Sequence, residues 1–292
     1  LQEGDRVRIV LSSGPCPPEQ LDKGLEYWRQ WGYVPVPTLP SGTACLPYLA
    51  ANDTERLQVL QLALDDPTCS VIACGRGGYG VTRLLSLLNW NEFCRFPKWI
   101  VGFSDITALL WAAARQGIAS LHAPLVSTLP DESPQSRDRL FHWLRNGQLD
   151  NLVGQPWQGG TAKGLLFPAN LTVATALIGT PSWPLGSTPV ILALEDVNED
   201  PYRLDRMLTQ WRNSGALSSV VGVALGRFSW TDPLSADETY TATAVLRDRL
   251  LDLQLPLVAD LPFGHGEGDN CALPLGVWAV LDGDRGSLSL ET

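Results

Sequence analysis

Short apolar runs alternate with amphipathic ones through the first 125 residues. Arg6–Leu11 (RVRIVL) predicts a strand, and Pro18–Trp31 a helix with proline at its start. Tyr33–Pro37 is a short extended piece. In Asp53–Leu64 the leucines at 57, 60 and 64 recur at helical spacing. Ser70–Cys74 (SVIAC) predicts a buried strand and Val81–Asn89 a short helix. Trp99–Phe103 (WIVGF) predicts a fourth strand, Asp105–Arg115 a helix, and Ile118–His122 a fifth strand. Strand and helix alternating at this pitch mean βαβ units, hence a parallel sheet covered by helices on both faces. Ligands bind such sheets at the carboxyl ends of the strands. That directs attention to the loops after Cys74, Phe103 and Leu121.

The texture changes at Pro130. Asp131–Pro134 is a turn cluster, Gln135–Arg145 a polar helix, and Asn146–Lys163 is rich in Gly, Gln and Trp. Residues 131–162 therefore read as a connector between a domain at 1–130 and a β-rich domain at 163–292. The second domain predicts a helix near Asn170–Ile178 and a strand at Pro189–Leu194. A helix follows at Pro201–Asn213, with Leu204, Met207, Leu208 and Trp211 on one stripe. Then come a strand at Val220–Leu225, a helix at Glu238–Leu253 and a terminal hairpin with Asp282-Gly283 as a tight turn. No internal repeat or low-complexity stretch interrupts this order.

Composition narrows the function classes. Hydrophobic residues make up 45% and charged ones 18% of the 292, which fits a globular chain and argues against disorder. The formal net charge of −10, with no basic stripe, leaves phosphate-backbone binding without a source, so no nucleic-acid partner is expected. No apolar run predicts a membrane span or an amino-terminal signal, so no membrane partner is expected. The six cysteines (16, 45, 69, 74, 94, 271) lack paired zinc spacing. They read as reduced thiols, implying a cytoplasmic protein with no metal. The chain has three histidines, His122, His142 and His265, so an imidazole mechanism has three candidates.

Four segments can carry chemistry. Gly75-Arg-Gly-Gly-Tyr-Gly80 fits G-x-G-x-x-G after a strand. A plain tight turn and an anion hole stand level as its readings, with a dinucleotide fingerprint below both. Against that fingerprint, Asp105 lies farther on than the usual spacing of about twenty residues, and the motif sits in the third βα unit. In Val101-Gly-Phe-Ser-Asp-Ile-Thr107, Ser104 falls where a strand meets a helix, a nucleophile-elbow placement without G-x-S-x-G. Taken alone, that serine favours a helix cap. In Ala193-Leu-Glu-Asp-Val-Asn-Glu-Asp200, Glu195 ends an apolar strand, and the acids after it fit a solvated loop. In Pro262-Phe-Gly-His-Gly-Glu-Gly-Asp-Asn270, glycines flank His265 and shape the backbone to present the ring. His142 lies on the polar helix, and His122 ends the fifth strand as a structural hydrogen-bonder.

Together these segments resemble the serine LD-carboxypeptidase family of murein tetrapeptide carboxypeptidases, which includes the peptidases that give immunity to microcin C. The resemblance runs from Gly4-Asp5 and Ser12-Ser13 through Arg76-Gly-Gly-Tyr-Gly80, Gly102-Phe-Ser-Asp-Ile-Thr-Ala108 and Leu194-Glu-Asp196. It continues through Pro201-Tyr-Arg-Leu-Asp-Arg206 to Phe263-Gly-His265 and Leu273-Pro-Leu-Gly276. It implies an α/β fold, with a flavodoxin-like amino-terminal domain supplying a serine and a smaller β-rich domain supplying a glutamate and a histidine. The implied triad is Ser104 as nucleophile, His265 as base and Glu195 orienting the imidazole. Backbone amides of Asp105 and of Gly77 or Gly78 then hold the oxyanion, and Arg76 is the candidate contact for the substrate carboxylate, with a structural ion pair as its equal alternative.

The implied reaction removes the terminal D-Ala from a murein tetrapeptide in cytosolic peptidoglycan recycling, without a cofactor and commonly as a homodimer. Two segments depart from the family pattern. Pro168-Ala-Asn-Leu171 stands for Gly-Gly-Asn-Leu, and His122-Ala-Pro-Leu125 for His-Gly-Pro-Met. Alternatives are a microcin-type peptidase acting on aminoacyl-adenylate-like amides, an NAD(P)-binding oxidoreductase using Gly75–Gly80, and a catalytically silent binding protein. Any of the eleven Trp would serve the first by stacking an adenine, although tryptophans at such spacings are usually core.

Overall fold

The computed structural model describes residues 1–42, 46–229, 241–266 and 268–291. They form two compact units, one of Leu1–Gln148 with Cys271–Leu273, the other of Leu149–Asn270 with Pro274–Thr292.

The first unit carries β1 (Arg6–Val10), α1 (Pro18–Gln30), β2 (Val34–Thr38), α2 (Asp53–Asp65) and β3 (Cys69–Cys74). They are followed by α3 (Asn91–Arg95), β4 (Trp99–Gly102), α4 (Thr107–Arg115), β5 (Ser120–His122) and α5 (Pro134–Asn146). The strands pair in parallel in the order β5-β4-β3-β1-β2. This is the flavodoxin-like doubly wound order implied by the resemblance. One face is sealed by Leu21, Leu25 and Trp28 of α1 with Leu140, Phe141 and Leu144 of α5, packed on Val7, Ile9, Val71, Ala73 and Val101. On the chain's other helices, α2 lies against β1 and β3 and α4 against β4 and β5.

Three details differ from the sequence expectation. The helix expected at Val81–Asn89 is two short 3-10 turns, Val81–Arg83 and Leu85–Leu87. Buried Val81, Leu84 and Leu85 give the same apolar spacing in either conformation, which hid the difference. The α3 turn had no separate signal. The helix assigned to the connector is α5, a packed element of the first unit. Its N-cap Ser133 accepts from Ser136 N, Gly147 closes it in the left-handed conformation, and Arg139 Nε donates to Ala272 O. Its many polar residues masked a narrow apolar stripe.

The second unit is a mixed sheet. Its elements are β6 (Leu152–Val153), β7 (Gln155–Gln158), β8 (Thr161–Asn170), α6 (Leu171–Ala176), β9 (Val190–Val197) and α7 (Pro201–Asn213). β10 (Val220–Ser229), α8 (Ala242–Leu250) and β11 (Leu257–Ala259) follow, then β13 (Trp278–Asp282) and β14 (Ser287–Leu290); β12 (Leu273–Leu275), between β11 and β13 in the chain, is not a strand of this sheet. Strand order is β6-β14-β13-β8-β9-β10-β11-β7, while β12 edges the first unit's sheet beside β5. The stretch 151–158 thus supplies both edge strands of the second sheet instead of a free connector. β8 to β11 run parallel, and β9 is buried on both faces, as its unbroken VILAL run requires. α7 packs on α6 and α8, and Trp211 Nε1 donates to Thr175 Oγ1 at 2.8 Å. The helix expected at Glu238–Leu253 is α8 and a 3-10 turn, and its residues 238–240 lie outside the described residues. The terminal hairpin closes with a four-residue loop, not a two-residue turn. Asp282 pairs with Ser287, and Asp282 Oδ1 accepts from the amides of Asp284 and Arg285. Cys16, Cys69, Cys74 and Cys94 are free thiols, and Cys45 lies outside the described residues.

Candidate active site

In the first unit the carboxyl ends of β3, β4 and β5 converge on Ser104. Phe103 is extended, and Ser104 then turns to φ +66° before the chain enters a 3-10 turn and α4. A non-glycine residue in the left-handed region is uncommon and is held there only by its surroundings. The turn's N-cap is Phe103, and no side chain caps it. The serine therefore does not do the capping job that its sequence position alone suggests. It is the strand-turn-helix placement of a nucleophile elbow, partly exposed, at the start of a helix.

The glycine loop lies directly against this serine. A Cβ at Gly77 would fall 2.9 Å from Ser104 Cβ and 3.1 Å from its Oγ, so glycine is needed there for close approach. Gly14 N donates to Gly77 O at 3.0 Å, and Ser127 N to Gly75 O at 3.1 Å, which ties the loop to those after β1 and β5. Gly78 sits at φ +109°. Asp105 is buried, and its Oδ2 accepts from Val81 N at 2.9 Å. Burial pushes its carboxyl pKa up, partly offset by the amides of Val81 and Gly80 and by Ser13. The Ser104 turn and the glycine loop are thereby fastened together. The dinucleotide reading needs a helix opening at Gly80; the chain has a three-residue 3-10 turn whose first amide is already bound by Asp105. Arg76 is exposed. Among the described residues it makes no ion pair, and a single long contact of 3.5 Å reaches Gln20 Oε1.

In the second unit the ends of β8 and β9 and the loop after β11 build a histidine–carboxylate pair. Glu195 is fully buried, and its Oε2 accepts from both Nδ1 of His265 (2.7 Å) and the His265 backbone N (3.0 Å). Asn170, the strand partner of Glu195, donates Nδ2 to Glu195 Oε1 at 3.2 Å and to Asp196 Oδ1 at 2.9 Å. Thr172 gives its amide and hydroxyl to Asp196 Oδ2 at 2.9 and 2.7 Å. Burial lifts the Asp196 pKa to about 6, helped by the charge of Glu195 and opposed by Thr172, Val197 and Asn170. For His265, burial disfavours the imidazolium. The hydrogen bond and charge of Glu195, with the charge of Asp196, outweigh it and raise the pKa above 6.5, while Arg227 opposes them. The ring keeps 20% of its side-chain surface exposed.

The loop that carries His265 is held from beneath. Arg227 Nε donates to His265 O and Nη2 to Gly264 O, both at 3.1 Å, and Nη2 also bonds Asp269 O. Asn270 Oδ1 accepts from Gly264 N at 2.8 Å. Gly264, at φ +97°, leaves no room for a Cβ, which would lie 2.5 Å from Glu195 Cβ. Glu267 of this loop lies outside the described residues. Of the other histidines, His142 is exposed on α5 against Trp31. His122 is fully buried and edge-on to Phe103, which precedes the Ser104 turn.

Sequence reasoning named Ser104, Gly77, Gly78, Asp105, Arg76, Glu195 and His265. The first five lie in the first unit and the last two in the second, where they meet. It missed Asn170, Asp196 and Arg227 as partners of that pair. Asn170 was visible only as a residue in a departing motif, and Arg227 carried no local signal. No group of three or more His, Cys, Asp or Glu among the described residues is placed to hold a metal. No helix among them is long and apolar enough to cross a membrane.

Comparison with known proteins identifies the family. Residues 7–123 match the model of the LD-carboxypeptidase N-terminal domain, and residues 163–281 that of the LD-carboxypeptidase C-terminal domain. A Synechocystis protein named as a carboxypeptidase is 48% identical over 290 residues, covering 99% of this chain and 95% of its own. The crystal structure of muramoyltetrapeptide carboxypeptidase from Oxalobacter formigenes superposes with a TM-score of 0.86 at 30% identity, covering 98% of this chain and 97% of its own. The microcin C7 self immunity protein shares the fold, with a TM-score of 0.88 at 21% identity and coverage of 100% and 97%. With both halves matched in order and a relative this similar over nearly its whole length, the chain belongs to the LD-carboxypeptidase family, hydrolases of the serine carboxypeptidase type.

Proposed function

We propose that this enzyme removes the terminal D-Ala from murein tetrapeptides by a Ser104–His265–Glu195 triad. The observation that carries the reading is the pair of hydrogen bonds that Glu195 Oε2 accepts from Nδ1 and the backbone N of His265. A buried carboxylate there favours the tautomer with hydrogen on Nδ1 and leaves Nε2 as the proton acceptor. His265 Nε2 takes the proton of Ser104 as Oγ attacks the carbonyl carbon. The amides of Asp105 and of Gly77 or Gly78 receive the oxyanion. The tetrahedral species then collapses, the C–N bond breaks, and His265 returns the proton to the departing D-Ala amine. Water, deprotonated by His265, hydrolyses the acyl-serine and restores the free hydroxyl. The exposed Arg76 guanidinium pairs with the substrate's terminal carboxylate. A homodimer and a cytoplasmic role in peptidoglycan recycling belong to the same proposal.

Because the base must be neutral and its pKa is raised, kcat/KM is expected to climb with pH through a midpoint above 6.5. The deciding experiment is mass spectrometry of a murein tetrapeptide incubated with the protein. Wild type is expected to release one Ala, and Ser104→Ala and His265→Ala to release none. Undiminished release by either variant overturns the triad. Cleavage of an aminoacyl sulfamoyl adenosine in place of the tetrapeptide moves the substrate to the microcin-type alternative.

A further inference from the structure

The glycine loop beside Ser104 is held by a buried arginine that the proposed chemistry does not use. Arg56 lies on α2 and is fully buried. Its Nη1 donates to Gly80 O at 3.0 Å and also to Ser12 O, and Nε donates to Ala51 O at 3.2 Å. Its Nη2 meets Asp53 Oδ1 at 2.6 Å. One guanidinium thus joins the loop after β1, the loop after β3 and the start of α2. The contact reaches the glycine loop twice. It acts directly at Gly80, and through the Ser12–Gly14 segment, whose Gly14 N holds Gly77 O at 3.0 Å. Asp53 is shared with Arg83, whose Nη2 lies 2.6 Å from Oδ2, so the turn just past Gly80 is anchored to the same helix end.

Two facts make this more than filling. Burying a cation is costly unless its donors are satisfied, and an apolar side chain of similar volume would take the arginine's donor from Ser12 O and leave Gly80 O with only its 3.3 Å bond from Arg83 N. Gly80 is also shaped to the arginine. It sits at φ +134°, and a Cβ there would lie 2.6 Å from Arg56 Nη1 and 2.8 Å from Leu49 Cδ2.

We propose that Arg56 is a positioning residue that sets the amides of Gly77 and Gly78 against Ser104, and so fixes the oxyanion site. This rests on the carboxypeptidase reading above. Hydrogen bonds from a rigid fork orient a peptide plane in a way that a flexible ammonium cannot. An oxyanion donor is effective only if it is placed before charge develops.

The test compares wild type with Arg56→Lys, Arg56→Met and Gly80→Ala, each checked for folding by circular dichroism. Expected is a fall in kcat of about 100-fold in Arg56→Met with KM within about threefold, and partial rescue in Arg56→Lys. Affinity for a boronic-acid tetrapeptide analogue should fall in parallel, while affinity for the cleaved tripeptide product stays. A purely structural arginine would lower melting temperature and leave that difference between analogue and product unchanged. Amide hydrogen exchange over residues 75–81 is expected to quicken in all three variants. A folded Arg56→Met or Gly80→Ala protein with wild-type kcat overturns the oxyanion role. Unchanged exchange in every variant overturns the holding role. A wild type inactive on tetrapeptide removes the carboxypeptidase reading and the oxyanion role with it, and the exchange measurement still decides whether Arg56 holds the loop.

Discussion

The two units solve different physical problems with different materials. The first presents a hydroxyl and backbone amides, and it does so with backbone geometry: Ser104 at φ +66°, Gly77 with no room for a Cβ, Gly78 at φ +109°. The second presents an imidazole, the base of the proposed reaction, and it does so with buried charge: Glu195 beside Asp196, bridged by Asn170 and aimed at His265. Each fastens its loop with an arginine that bonds backbone carbonyls, Arg56 in one and Arg227 in the other. Donors to a transient oxyanion need fixed direction, which a strained backbone supplies. A base needs a tuned pKa, which hydrogen bonding, neighbouring charge and desolvation supply. Substitutions in the first unit should therefore alter rate at constant pH profile, and those in the second should alter the profile as well.

The largest effect expected within this contrast is at Glu195. Glu195→Gln keeps the shape but removes the anion, and kcat should fall about ten-thousand-fold. Nuclear magnetic resonance of just three histidine rings should show the His265 pKa dropping. A retained pKa would break the claim that the second unit works by charge. Next comes Gly77→Ala, whose new methyl would press on Ser104. Steady-state assays should find kcat lowered about 100-fold with the acid limb of kcat/KM unmoved. A displaced acid limb would erase the distinction between the units.

Arg227→Gln should act more weakly and in both ways. It loosens the histidine loop, lowering kcat about tenfold by misplacing the ring. It also removes a cation, so the same ring titration should move upward. The smallest effect concerns stability. Asp66 would be raised by burial, but bonds from Thr68 and Arg8 and the Arg8 charge hold its pKa at about 2. Its contribution is present above 3.8, the unfolded value, and is lost as pH falls toward 2. Asp196, raised to about 6, has the opposite sign: it costs progressively more stability as pH rises from 3.8 to 6. Thermal melts of Asp66→Asn and Asp196→Asn across pH 2–7 should remove these two slopes separately.

The sequence by itself determined the parallel sheet, because buried strands must be apolar throughout and their crossover helices must be amphipathic. It determined the ends of α7 almost to the residue, since proline opens it and a clean apolar stripe runs along it. It also isolated His265, because flanking glycines in a loop have few other uses. It misplaced α5, whose stripe of Leu140, Phe141 and Leu144 becomes apolar core only once the sheet is there to meet it. Only the tertiary structure decided that Ser104 is not a helix cap, since φ depends on what packs around the turn. Only it found Asn170, Asp196, Arg227 and Arg56, whose partners lie far along the chain or on backbone carbonyls. Local pattern records which faces are apolar. A carbonyl's partner leaves no trace in composition, and so the groups that hold the candidate site appear only when the chain is folded.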